Sequence, residues 1–127
     1  MSGGGRILKS SRRPTPRSAT RIECYIPESD PDVYDIAHDW LCDELTYAQG
    51  GGCSSAKGID GRYLSLGKFV VLDKITLVWC DLPWRWTVAP EKGEAVAYAA
   101  GLRRYLSTLL PLEEVIYIVL APVLVLD

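Results

Sequence analysis

The stretch that decides the fold is Arg21-Ile22-Glu23-Cys24-Tyr25-Ile26-Pro27, followed after Glu28 by Ser29-Asp30-Pro31. Ile22, Cys24 and Ile26 alternate with Arg21, Glu23 and Tyr25, and a period of two marks a half-buried strand. Pro27 ends it. Ser29-Asp30-Pro31 then supplies an N-cap residue followed by proline at the first helical position. Val33, Ile36, Ala37, Trp40, Leu41 and Leu45 come next at helical spacing, while Asp32, Asp35, Asp39, Asp43 and Glu44 lie off that stripe. A strand is expected over 21–27 and a helix from there roughly to Ala48.

Toward the C-terminus, 49–61 reads as a glycine-rich loop and 63–66 as a short strand, with Gly67-Lys68 as a turn. The next strand region is 69–80, with a bend expected near Asp73-Lys74. Within it Ile75, Leu77 and Trp79 share one face, and Thr76, Val78 and Cys80 the other. A loop over 82–90 carries Trp84, Arg85 and Trp86. A second helix is expected from Glu91, with Ala95, Tyr98, Ala99, Leu102, Leu106 and Leu109 as its buried stripe and Arg103 and Arg104 toward its end, as the macrodipole favours. Pro111 closes it. A last strand covers 115–120, and Pro122 interrupts pairing before the apolar Val123-Leu124-Val125-Leu126.

This βαββαβ order predicts an α+β domain: a ferredoxin-like two-layer sandwich, with an antiparallel sheet and two helices on one face. The last strand then lies at a sheet edge, where Pro122 is tolerated. Tyr25 and one face of the 69–80 strand are left on the uncovered side. If Thr76, Val78 and Cys80 point outward, that side is partly apolar and suited to another subunit.

Charge divides the chain. Residues 1–21 hold six basic side chains (Arg6, Lys9, Arg12, Arg13, Arg17, Arg21) and no acid, among glycines, prolines and serines. Such a stretch has too little apolar surface to offset the entropy of ordering it, so 1–21 is expected to be a disordered basic arm. Residues 22–127, the single domain, carry eight basic and sixteen acidic residues, a formal charge of −8. The glycines and prolines of the arm argue against an amphipathic transit peptide, and no apolar h-region points to secretion. No apolar run reaches the length of a membrane span. Cys24, Cys42, Cys53 and Cys80 lie far apart with no paired spacing. They are expected to be reduced thiols in a cytoplasmic protein. With one histidine, His38, and no CxxC, no metal and no cofactor are expected.

Two constellations could bind something. The glycine loop fails the spacing of a phosphate-binding P-loop, of a dinucleotide fingerprint and of a Cys-x5-Arg phosphatase. It still offers backbone N–H groups at Gly51 and Gly52, hydroxyls at Ser54 and Ser55, and a cation at Lys57. That set could hold an anion, with Cys53 the one cysteine outside expected regular structure. Trp84-Arg85-Trp86 joins residue types enriched at binding hot spots, and with Arg12, Arg13 and Arg17 of the arm it is the candidate partner contact.

Tyr25-Ile26-Pro27, Trp40 before Leu45-Thr46, Gly51-Gly52-Cys53-Ser54 and Gly61-Arg62-Tyr63 together resemble a set of small bacterial α/β proteins with a Leu-Thr…Gly-Gly-x-Ser loop. The resemblance spans roughly 22–81. It implies the strand–helix–loop–strand order and gives the loop weight, and no activity attaches to it.

No catalytic set is complete, so the residues favour a non-enzymatic binding or assembly module. It would self-associate as a homo-oligomer and engage a protein partner through the arm and the Trp84–Trp86 loop. The alternative is a sensor or minor enzyme for an anionic or nucleotide ligand at 50–61. A second alternative is nucleic-acid binding through the arm, the acidic body being unsuited to phosphate by itself.

Overall fold

The computed structural model describes residues 15–28, 30–48, 52–64, 67–68, 70–111 and 116–126. Its elements are β1 (Arg17–Pro27), α1 (Pro31–Asp43) running into a π-helical turn (Glu44–Ala48), β2 (Ser54–Leu64), β3 (Val70–Leu82), α2 (Ala89–Leu109) and β4 (Tyr117–Val125). The strands form one sheet in the order β2-β3-β1-β4, and each neighbouring pair is antiparallel.

β1 forms where its alternation demands. Ile22, Cys24 and Ile26 are fully buried, while Arg21, Glu23 and Tyr25 are half-buried on the opposite side. The strand starts at Arg17, four residues before the expected boundary, because β4 runs antiparallel along it from Tyr25↔Tyr117 to Arg17↔Val125. Arg17–Arg21 are therefore strand rather than arm. The apolar 123–125 segment finds its partners in Ala19, Ser18 and Arg17. Pro122 sits on edge strand β4 opposite Thr20, where a missing N–H is tolerated.

Both helices pack on the face that carries Ile22, Cys24, Ile26, Val78, Cys80 and Leu82, and together they close one core. Pro31 begins α1 behind Asp30, whose carbonyl accepts the Tyr34 N–H at 2.8 Å. The buried stripe of α1 is Tyr34, Ala37 and Leu41, continued by Leu45 in the π turn. The expected stripe is rotated: Ile36 is 62% exposed and Tyr34 is inside. The physical reason is the Tyr34 hydroxyl, 2.6 Å from the Oγ1 of buried Thr76, which lets a polar aromatic enter the core. On α2, Ala95, Ala99, Leu102 and Leu106 are buried as the periodicity predicts. Trp40 meets Tyr105 between the helices with centroids 4.4 Å apart, and the Tyr98 hydroxyl donates to Glu44 at 2.6 Å.

The ferredoxin-like two-layer sandwich expected from the sequence needs correction. The description the structure supports is a four-stranded antiparallel sheet, order β2-β3-β1-β4, with two helices, in the α+β class. The departures are concrete. Most of the glycine-rich stretch is strand, not loop: β2 begins at Ser54 and pairs with β3 from Ser54↔Trp79 to Leu64↔Val70. A bulge between Ala56 and Ile59 absorbs the extra residues, with Gly58 at φ +72°. The helix layer does not reach the far end of this hairpin. Leu64, Val70 and Leu72 share the helix-facing side of the sheet yet are exposed.

Candidate interaction face and the polar network beside it

Antiparallel register places residues directly opposite each other on one face. Glu23↔Trp79, Tyr25↔Leu77 and Tyr25↔Tyr117 therefore put Trp79, Leu77, Tyr25 and Tyr117 on the side away from the helices. Ile75, Val119, Ala121, Val123 and Val125 join them by alternation, as do Ala56 and Ile59 of β2. Thr76, Val78 and Cys80 are buried and face the helices, so the outward side of β3 is Ile75, Leu77 and Trp79 instead. The reason is register. Cys24↔Val78 and Ile22↔Cys80 tie the even positions of β3 to the inward positions of β1.

The uncovered face thus carries apolar side chains from all four strands, interrupted on β1 by Glu23. Tyr117 is 59% exposed and Val119 41%, and their neighbours on β1 and β3 are half-buried. Its fixed charges include Arg17, Arg21 and Asp81 near one end and Glu23 in the middle of β1, between Trp79 and Val119. Arg21 binds Asp81 through two nitrogens, Nε–Oδ1 at 2.8 Å and Nη2–Oδ2 at 3.3 Å. Hydrogen bonding to Asp81 raises the Arg21 pKa against the opposing effect of burial.

The Trp84–Trp86 loop is divided: Trp84 turns inward, while Arg85 is exposed and Trp86 half-buried. Trp84 packs on the core, 5.7 Å from the Tyr98 ring, and its carbonyl accepts from Thr20 Oγ1 at 2.8 Å. The Arg85 guanidinium and backbone N–H both bind Glu91 at the start of α2, the shortest contact being Nη2–Oε2 at 2.6 Å. The Arg85 hydrogen bonds hold the Glu91 carboxyl below its usual range. Lys92 covers Trp86 with its ammonium 4.6 Å from the ring centroid. Arg17 lies in β1, and Arg12 and Arg13 are outside the described residues.

The glycine-loop residues do not converge. Gly51 is outside the described residues. Gly52 has φ +70°, and Cys53 turns toward the end of α1, its Sγ 3.6 Å from the Cys42 carbonyl. Ser54 and Ser55 pair with Trp79 and Val78, so strand alternation sends their hydroxyls to opposite faces. Lys57 stands over the Tyr34 ring at 5.0 Å.

A polar network that the sequence reading missed lies beside Lys57. Glu28 Oε2 accepts from the Gly58 N–H at 2.8 Å and from Thr76 Oγ1 at 2.6 Å, which leaves Thr76 to accept from Tyr34. Burial acts to raise the Glu28 pKa, but the Gly58 and Thr76 hydrogen bonds, with Lys57 and Lys74 nearby, hold it below the usual carboxylate value. Glu28 borders an open cleft of about 700 Å³ with Asp60, Arg62, Asp73 and Lys74, in which Lys74 is ion-paired to Asp60. The one local signal was the glycine at 58. A left-handed residue frees a backbone N–H to point at a carboxylate.

Among the described residues, no helix is long and apolar enough to cross a membrane. No protein-family model matches the sequence, and no curated protein matches it. Among solved structures the chain is similar to a phage SAM lyase in complex with S-methyl-5'-thioadenosine, at 10% identity over 86% of this chain and 90% of that chain, with a TM-score of 0.46. A superposition this loose assigns neither activity nor ligand.

Proposed function

We propose that this chain is a non-enzymatic assembly module that pairs with a second copy of itself through the uncovered sheet face. The observation that carries the reading is the continuous apolar surface from Ile59 through Ile75, Leu77 and Trp79 to Tyr25, Tyr117 and Val119, which neither helix covers. Soluble monomers rarely leave so connected an apolar sheet face to water. Two such faces stacked about 10 Å apart make a sandwich core.

Charge favours a like copy as the occupant. The basic residues of 1–21 and the −8 body of 22–127 belong to one chain, so the positive segment of one copy attracts the body of another. The four free cysteines suit a reducing compartment such as the cytoplasm. A ligand site within 50–61 gains less from the geometry, because its hydroxyls and cation are divided between two faces.

Light scattering on the full chain and on Val119→Glu tests the reading. The full chain should run as a dimer or higher species. The variant should dissociate with unchanged circular dichroism, its association weakened at least tenfold, as the loss of one buried valine (about 1.5–3 kcal/mol) predicts. A full chain that stays monomeric at high concentration contradicts it.

A further inference from the structure

Four cysteines scattered along the sequence gather at one end of the core. Cys24 and Cys80 are buried in neighbouring strands, and Cys42 and Cys53 are half-buried beside them. Burial, then the surrounding thiols, push the Cys24 and Cys80 thiols up to about 12, which makes these two inert. The outer pair differs. Cys53 Sγ lies 3.6 Å from the Cys42 carbonyl and 3.7 Å from Thr46 Oγ1, so its sulfur sits against the last turn of α1. Cys42 Sγ in turn lies 3.6 Å from His38 Nε2. Cys53 also borders an open cleft of about 430 Å³ with Arg17, Arg21, Ser54, Trp79 and the more deeply buried Cys80; Cys42 is not among its lining residues.

We infer that Cys42 and Cys53 form a peroxide-sensitive thiol pair that closes to an intramolecular disulfide, joining the end of α1 to the start of β2. The chemistry needs a hydroperoxide as oxidant. Cys53 gives up its thiol proton, its sulfur attacks the O–O bond and becomes a sulfenic acid, and that proton goes to the departing oxygen, which leaves as water or alcohol. Cys42 sulfur then attacks the Cys53 sulfur. The S–S bond forms, the S–O bond breaks, and the Cys42 proton passes through His38 Nε2 to the leaving hydroxide, giving water. The two thiols lose two electrons and the peroxide gains them. Cys42 is the resolving partner because burial and the adjacent Cys53 hold its thiol protonated, pushed up to about 12.

The test is peptide mapping of the full chain after treatment with hydrogen peroxide, run in parallel on Val119→Glu so that the result does not depend on self-association. Both proteins should yield a Cys42–Cys53 crosslinked peptide, with Cys24 and Cys80 still alkylated as free thiols. Cys42→Ser should leave Cys53 as a sulfenic acid trapped by a dione reagent, and Cys53→Ser should abolish both products. His38→Gln should slow closure severalfold while the sulfenic acid accumulates. A crosslink through Cys24 or Cys80, a link only between copies, or Cys53 carried to sulfinic acid without a disulfide overturns the inference.

Discussion

Tyr34 of α1 and Thr76 of β3, 42 residues apart in sequence, share a buried 2.6 Å hydrogen bond, and Thr76 passes it on to Glu28 at the end of β1. This contact sets the rotation of α1 on the sheet. It is consistent with the register against β1, which turns Thr76 inward and leaves Ile75, Leu77 and Trp79 outside. Tyr34→Phe keeps the ring and removes the bond. It should cost about 1 kcal/mol in urea unfolding, the net worth of a buried hydrogen bond whose other partner keeps Glu28.

The rotated stripe makes a paired prediction. Leu41→Ala removes a fully buried side chain and should cost about 2–5 kcal/mol. Ile36→Ala, at a position 62% exposed, should change stability by no more than about 0.5 kcal/mol. Equal costs at the two sites would restore the stripe that periodicity alone suggests.

Acid should act through Glu28. Its folded pKa lies below the ordinary carboxylate value, so the unfolded chain binds the proton more readily. The stabilisation is therefore present above the unfolded value and is lost as pH falls through the folded one. Unfolding midpoints measured from pH 6 downward should drop, and Glu28→Gln should flatten that drop. Asp60 and Glu91 shift in the same direction through Lys74 and Arg85, but these are exposed pairs, and raised salt should suppress their share.

Gly58 carries φ +72° with nothing within 4 Å of where a Cβ would stand, so any cost of substitution there is conformational. Gly58→Ala should destabilise by about 1 kcal/mol, and Gly58→Asn by less, because asparagine tolerates the left-handed region better. Thermal melts of the two variants against the parent check this.

Much of the fold was legible because each helix and β1 carry their own period. Ile22, Cys24 and Ile26, and Ala95, Ala99, Leu102 and Leu106, could be assigned inward from spacing alone. β2 could not. Its glycines and serines carry no alternation, and only the ladder along β3 makes Ser54–Leu64 a strand. The outward face of β3 was illegible for a different reason. Ile75, Leu77 and Trp79 are as apolar as the face they oppose, and only pairing with β1 decides between them. The Glu28–Thr76–Tyr34 network and the gathering of four cysteines are long-range contacts that no local pattern announces. Composition likewise cannot show that Trp84 meets Tyr98 and that Arg85 pairs with Glu91, both on α2.

The most direct measurement is hydroxyl-radical footprinting of the full chain at low and at high protein concentration. If the uncovered face joins two copies, Trp79, Tyr25 and Tyr117 lose reactivity as concentration rises, while Tyr47, 81% exposed on the π turn, reacts equally throughout. Unchanged labelling of Trp79 and Tyr117 across the range would contradict it.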